Sequence, residues 1–289
     1  NHRKPPPTTA NHRQPPSTTV NHRQPPSTTA NHRQPPSTTV NHRQPSSTTV
    51  NHRQPPSTTV NHRPMTSALI VAAGNSRRMG FQKLTASLLG KPVLRWTLEA
   101  FDNCPAIDEL VVVVNDATRG LVRAWSEDGM LRKPVTLSEG GAERHISVYG
   151  GLKKLSPTTD LVAVHDGARP LISADQIIRC IHRAREVKAV ACARRVTETL
   201  KLVNGHGVIT GSVDRKDTWI METPQVFDRH LLCQAYERVM QQNLTVTDEV
   251  SAVQLLGHDV MVLDNPESNL KITFPTDLLL AEQLLLARN

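Results

Sequence analysis

The residues of this chain best suited to chemistry fall in one short stretch, Ala72-Ala73-Gly74-Asn75-Ser76-Arg77-Arg78-Met79-Gly80-Phe81-Gln82-Lys83. Its small residues let backbone N–H groups approach an anion closely, and successive N–H groups form a nest for one. Two arginines and a lysine add positive charge, so the stretch suits a polyphosphate. It is not a Walker A loop, since no Gly-Lys-Ser/Thr follows at the right spacing, and it is not the Gly-x-Gly-x-x-Gly of dinucleotide-binding turns. A solvated surface turn accounts for the same charges. Downstream, polar and cationic residues recur in short blocks: Gly140-Gly141-Ala142-Glu143-Arg144-His145-Ile146-Ser147-Val148, His165-Asp166-Gly167-Ala168-Arg169-Pro170, Asp214-Arg215, Thr223-Pro224-Gln225, Thr247-Asp248-Glu249 and Asn269-Leu270-Lys271-Ile272-Thr273. Asp166 closes an apolar run, where a carboxylate can bind Mg²⁺ or a substrate hydroxyl; a turn or helix-capping role is the alternative.

These blocks need elements to hold them. Residues 68–73 form a short apolar run followed by Gly74, read as a buried strand and a tight loop. Periodicity predicts helices over 92–101, 120–125, 143–155, 174–186, 231–241, 248–256 and 275–287. Strands are predicted over 109–114, 134–137, 161–165, 187–193, 259–263 and 270–273. Near-regular alternation of strand and helix implies an α/β, Rossmann-like, mostly parallel sheet with helices on both faces. Such sheets bind ligands beyond the carboxyl ends of their strands, and most of the blocks follow predicted strands. Residues 197–215 break the alternation. Strand-like pieces at 199–203 and 208–212 flank Asn204-Gly205-His206-Gly207, a hairpin signal that predicts an inserted β-hairpin arm.

Composition divides the chain in two. The 289 residues carry a formal charge of +8. Residues 1–64 hold eight of the 34 basic residues and no acid, leaving 26 basic against 26 acidic residues beyond them. The basicity therefore belongs to the N-terminal segment, and a neutral remainder does not suit a nucleic-acid backbone. The 66–289 part is long enough for one sizeable core. Cys104, Cys180, Cys192 and Cys233 form no C-x-x-C pair and sit in or beside apolar stretches, as buried reduced thiols do; a cytoplasmic location fits. No apolar run is long enough for a membrane span, and no secretory h-region opens the chain.

Taken together and in order, the blocks resemble the methylerythritol phosphate cytidylyltransferase family of the nucleotidylyltransferases. The first loop is similar to its Ala-Ala-Gly-x-Gly-x-Arg-Met-Gly and following Lys, and the likeness covers about residues 68–276. The resemblance implies transfer of CMP from CTP to 2-C-methyl-D-erythritol 4-phosphate, with Mg²⁺ on the phosphates. It implies that Arg78 and Lys83 stabilise the transition state and that Arg215 and Lys271 position the alditol phosphate. Ala72, Ala73, Gly74, Arg144 and Thr223 fall in matching nucleotide- or substrate-binding blocks. Gly140, Gly141 and Ser147 read as a cytosine pocket, with Arg169 and Thr199 contacting the alditol phosphate. Asp166 is the one implied metal ligand. In this family the arm reaches across a homodimer. The chemistry needs two polyanions held in line and cations converging on the transition state, and an ionised phosphate needs no general base. His165 therefore reads as structural, and Asp248 as a helix start. Departures are Ser76 where the family usually has Gly, Gln82 where Pro is common, and Ser268 where Asp is common; none removes a cation. Ribitol 5-phosphate cytidylyltransferases share nearly every block, although Gly167-Ala168-Arg169-Pro170 leans away from them.

The first 60 residues are six copies of a decapeptide close to Asn-His-Arg-Gln-Pro-Pro-Ser-Thr-Thr-Val, with a seventh broken off at Pro64. One aliphatic residue in ten cannot offset chain entropy, so the repeat is expected to be disordered. The copies are as alike as a tandem DNA repeat read through by an over-extended reading frame, and Met65 stands directly before the first strand. The expectation is a repeat that is not translated. Its rivals are a tail for an anionic partner or metal, and a targeting segment; if the domain were inactive, the basic repeat would be the working part of a binding module.

Overall fold

The computed structural model describes residues 63–74 and 80–288, all within the unit Thr59–Asn289. The decapeptide copies, apart from Arg63 and Pro64 at their end, lie outside the described residues, and so does the expectation of disorder. In chain order the elements are β1 (Met65–Ala72), the short pair β2 (Ser87–Leu88) and β3 (Lys91–Pro92), α1 (Val93–Asp102), β4 (Glu109–Val114), α2 (Asp116–Glu127), β5 (Val135–Glu139), α3 (Arg144–Leu152) and β6 (Thr159–Asp166). There follow α4 (Ala174–Val187), β7 (Ala189–Arg195), β8 (Lys201–Val203), β9 (Ile209–Ser212), β10 (Trp219–Asp228), α5 (Arg229–Gln241), α6 (Glu249–Gln254), β11 (Met261–Asp264) and α7 (Pro275–Leu286).

Seven strands form the main sheet in the order β11-β7-β10-β6-β1-β4-β5. All neighbours run parallel except β10, which is antiparallel to both β6 and β7. The run Glu-Leu-Val-Val-Val-Val of β4 is buried throughout, as a central parallel strand covered on both faces must be. Strand alternation sends Leu110, Val112 and Val114 to one face, against Leu98 and Phe101 of α1 and Ile177 and Ile181 of α4. Val111 and Val113 go to the other face, against Val148 of α3 and Leu232 and Tyr236 of α5. Side-chain caps start several of the helices: Asn115 accepts the Thr118 N–H at α2, Ser173 the Gln176 N–H at α4, and Asp248 the Ser251 N–H at α6. Strand β1 has β4 on one side and β6 on the other, so the chain order reverses around it and a crevice opens at the carboxyl ends.

The fold is α/β with a mostly parallel sheet, as the alternation predicts; besides the unpredicted two-residue strands β2 and β3, two elements differ from expectation. Residues 270–273 are not a strand. The Leu270/Ile272 alternation reports burial of Ile272, whose N–H donates to Ala168 O at 2.8 Å, and the stretch joins no sheet. Strand β10 is absent from the sequence reading. Its Glu222, Thr223, Pro224 and Gln225 dilute the strand signal, and its pairing with β7 is itself interrupted between Met221 and Gln225. The predicted hairpin is present as β8 and β9, paired antiparallel. Asn204 closes it by accepting the N–H groups of His206 and Val208, both at 3.0 Å, and Gly207 takes a positive φ of 78° that suits glycine.

Candidate active site

The carboxyl ends of β1, β5 and β6 and the loop after β11 converge on a cavity of about 200 Å³. Ala73 and Gly74 line it from the end of β1, and Gly141 and Ser147 from the turn and helix after β5. Lys83, Arg144, Asp166 and Lys271 complete the functional lining. Ala72 is buried at the end of β1, where its carbonyl accepts the Thr118 hydroxyl at 3.3 Å. Arg78 lies outside the described residues.

The two glycines of the turn are there for space. A Cβ on Gly140 would stand 2.2 Å from Ala73 Cβ, and one on Gly141 would stand 2.4 Å from Ile146 Cγ2. The Gly140 N–H donates to Val114 O at 2.9 Å, which ties the turn to the end of β4. Ser147 Oγ accepts the Gly141 N–H at 2.9 Å and donates to Glu143 O at 3.0 Å. The Ser147 hydroxyl therefore shapes the turn as well as facing the cavity.

Asp166 is the electrostatic centre. Lys271 Nζ stands 2.8 Å from its Oδ2, Arg169 Nε 3.3 Å from the same oxygen, and an Arg144 terminal nitrogen 3.5 Å from Oδ1. Burial alone would raise this carboxyl, yet Lys271, Arg144 and Arg169 together hold it far below the usual carboxylate range. Arg144 is fixed from beneath by Glu249, at 2.6 and 3.1 Å, and Glu249 is fully buried and also accepts the Tyr236 hydroxyl at 3.0 Å. Burial works against charge on Arg144, but Glu249 and Asp166 outweigh it and keep the guanidinium protonated. Burial first, and then the Glu249 charge, push the Tyr236 phenol well up. Lys83 Nζ donates to Ile272 O at 2.8 Å, which brings the first loop's lysine to the segment that carries Lys271.

A second cavity of about 280 Å³ adjoins the first and shares Arg144, Asp166 and Lys271 with it. Arg169, Thr223 and Asp248 line it as well. Thr223 Oγ1 accepts the Asp166 N–H at 3.1 Å and lies 3.0 Å from His165 Nδ1. Arg169 O, 3.4 Å from His165 Nε2, can only accept, so in the neutral ring Nε2 carries the proton and Nδ1 accepts the Thr223 hydroxyl. Burial pushes the His165 pKa down to about 3, so the ring is neutral and structural, as the sequence suggests. Asp248 caps α6 and also accepts from Gln225 Nε2 at 3.1 Å.

Of the expected residues that are described, Ala72 and Gly140 lie just behind the lining of the first cavity, and two others are brought to neither cavity within one chain. Thr199 and Arg215 are exposed on the arm, and Arg215 donates to Thr197 O at 2.8 Å. Among the described residues no three His, Cys, Asp or Glu side chains cluster as a metal cage.

A sequence model of the 2-C-methyl-D-erythritol 4-phosphate cytidylyltransferase family matches residues 66–287. The chain belongs to this family. A 2-C-methyl-D-erythritol 4-phosphate cytidylyltransferase of Thermosynechococcus vestitus is 40% identical over 219 residues, covering 75% of this chain and 94% of the relative. The enzyme of that name from Caldanaerobacter subterraneus subsp. tengcongensis is 36% identical over 222 residues, covering 76% and 98%. Among solved structures, a 4-diphosphocytidyl-2C-methyl-D-erythritol synthase from Anaerococcus prevotii superposes with a TM-score of 0.69 at 28% identity, covering 77% of this chain and 99% of that one. As a member of the cytidylyltransferase family, the chain is a nucleotidyltransferase. Sequence reasoning missed the support beneath its Arg144. Glu249 reads as the first-turn acid of a helix in Thr247-Asp248-Glu249, and nothing in its spacing announces a buried partner for an arginine 105 positions earlier.

Proposed function

We propose that this protein transfers CMP from CTP to 2-C-methyl-D-erythritol 4-phosphate, giving the CDP-alditol and pyrophosphate in isoprenoid precursor biosynthesis. The observation that carries the reading is the convergence of Lys83, Arg144 and Lys271 on one cavity with the 140–141 turn. A phosphate oxygen of the alditol attacks the α-phosphorus of CTP, and the bond to the bridging oxygen of pyrophosphate breaks. No proton need be abstracted, which agrees with the neutral, buried His165. What the protein must supply is in-line placement and positive charge.

In this reading the backbone at Ala72, Ala73 and Gly74, with Arg78 and Lys83, holds the triphosphate and stabilises the transition state. Gly140, Gly141 and Ser147 form the cytosine pocket, and Arg144 closes it beside Asp166. Lys271 and Arg169 take the alditol phosphate, with Thr223 holding the Asp166 backbone. Arg215 and Thr199 act from the arm of a second copy. Leu202, Val203, Val208 and Ile209 are 55–64% exposed on that arm, which supports a homodimer in which it is covered. Mg²⁺ would arrive on the triphosphate, with Asp166, whose Oδ1 has Arg144 no nearer than 3.5 Å, as the carboxylate that would hold it; the ion would supply neutralisation of phosphate charge. The chain's four cysteines are free thiols, three of them buried, which supports a reducing, cytoplasmic setting.

The test is pyrophosphate release from CTP and Mg²⁺ with either methylerythritol 4-phosphate or ribitol 5-phosphate as acceptor, with Lys83→Ala as control. Turnover confined to methylerythritol phosphate and lost in the control is expected. Turnover only with ribitol phosphate would overturn the choice of acceptor, and none with either would overturn the reaction.

A further inference from the structure

Lys271 sits on a segment, residues 265–273, that has neither helix nor strand to hold it. Its position depends on a few buried hydrogen bonds, and several of them meet at Glu222. This residue lies in the interrupted stretch of β10 and is 4% exposed. Its Oε2 accepts the side-chain amide of Asn265 at 2.9 Å and that of Asn269 at 3.4 Å. Its Oε1 stands 3.6 Å from Arg194 Nε. Asn269 in turn donates to Thr223 O at 2.7 Å and accepts from Arg169 at 2.8 Å. A third cavity, of about 590 Å³, is bounded by Glu222, Arg194, Asn265, Asn269, Arg169 and Lys271. Glu222 thus touches both the loop that presents Lys271 and the residue of β7 that stands just before the arm.

We propose that Glu222 is a positioning residue for the alditol phosphate side of the site: through Asn265 and Asn269 it sets where Lys271 stands, and through Arg194 it ties the root of the arm to the same point. The inference rests on the cytidylyl-transfer reading above. The physical case is one of matched chemistry. A carboxylate offers only acceptors, and the asparagine amides and the guanidinium that face it offer donors. Removing it leaves the Asn265 amide without its acceptor in a buried site and leaves the Asn269 amide only the Thr223 carbonyl. Asn269 is two residues from Lys271, so relaxation of the loop to satisfy those amides moves Nζ away from Asp166. A displacement on the order of 1 Å costs about a hundredfold in placement-dependent catalysis. The CTP side is attached through other bonds, namely Gly140 N–H to Val114 O and Gly141 N–H to Ser147 Oγ, so the effect is directional.

The experiment measures KM for both substrates, kcat and melting temperature for Glu222→Ala and Glu222→Gln, alone and combined with Lys271→Ala. Glu222→Ala is expected to raise KM for methylerythritol 4-phosphate about tenfold or more while KM for CTP stays within about twofold. Glu222→Gln, which keeps an acceptor oxygen for the amides, recovers most of that loss. Added to Lys271→Ala, Glu222→Ala costs less than about twofold more, because residues that act through one another are not additive. Equal changes in both KM values, or full multiplication of the two losses, would overturn the proposal as a mere effect on folding. If Glu222→Ala does not fold, Asn265→Ala carries the same prediction at smaller size. Absence of turnover in the unaltered protein would instead overturn the reaction itself and take this inference with it, whereas turnover with an unsplit KM pattern overturns only the role of Glu222.

Discussion

Replacement of Gly140 by Ala tests the packing of the nucleotide side on a single contact. The added Cβ falls 2.2 Å from Ala73 Cβ, while its next neighbours, Val114 O at 3.4 Å and Ala73 Cα at 3.6 Å, are at or near ordinary distance. Unbonded carbons sit about 3.5–4.0 Å apart, so the overlap is roughly 1.3 Å or more and falls on one methyl group. The turn cannot retreat freely, because the Gly140 N–H is bonded to Val114 O at 2.9 Å. The first loop must then shift instead, and Ala73 and Gly74 line the cavity. Overpacking of this kind costs about 1–3 kcal/mol in stability, and a displacement near 1 Å at a reacting site costs about a hundredfold in rate. We expect kcat/KM for CTP to fall about a hundredfold with a lowered urea midpoint. The contact has a built-in check, since Ala73→Gly removes the methyl that is struck and costs less than about 1 kcal/mol by itself. The double variant Gly140→Ala/Ala73→Gly should recover most of the lost activity. Wild-type kinetics in Gly140→Ala, or a loss that Ala73→Gly leaves untouched, would refute the packing argument.

Other predictions concern charge and assembly. His165 is held at about 3 against an ordinary 6.5, so between those values the unfolded chain takes up a proton that the native state refuses; stability therefore falls as pH drops through that window, by about 1.4 kcal/mol per pH unit from this group. Urea midpoints from pH 7 to 4 should show the slope, and His165→Asn should flatten it. Asp166, whose pKa is depressed by its three cations, adds a loss of the same sign at lower pH, below its ordinary value of 3.8. Glu249→Ala leaves the partly buried Arg144 guanidinium with only Asp166, at 3.5 Å, and should cost about 3 kcal/mol in urea denaturation; a loss under about 1 kcal/mol would contradict the burial argument. If the arm acts across a homodimer, co-refolded Lys83→Ala and Arg215→Ala chains form hybrids with one intact site, and turnover should return to about a quarter of the wild-type value. Mixtures as inactive as either parent would place Arg215 outside the partner's site.

Much of this architecture is legible in the amino-acid order because it follows from short-range physics. The Leu-Val-Val-Val-Val run of β4 and the Asn-Gly-His-Gly turn each announce an element locally. The site blocks are legible for the same reason, since most of them fall in the turns that follow strands. What is hidden depends on partners distant in sequence. Strand β10 is masked by Pro224 and by polar residues, of which Glu222 and Thr223 find their partners in Asp166, His165 and the asparagines of another segment. Residues 270–273 imitate a strand because Ile272 plugs the core. Glu249 under Arg144, and Glu222 under the asparagines, carry no spacing signal at all, since each meets its partner only once the sheet has formed.

The most direct measurement uses CTP labelled in its α-phosphate, incubated with Mg²⁺, methylerythritol 4-phosphate and the whole protein, with products separated by charge. The account predicts that the label appears in a diphosphate ester of the alditol, with one pyrophosphate released for each, and that Lys271→Ala slows this transfer sharply without removing it. Label that remains in CTP, or that appears as free CMP independently of the acceptor, would contradict it.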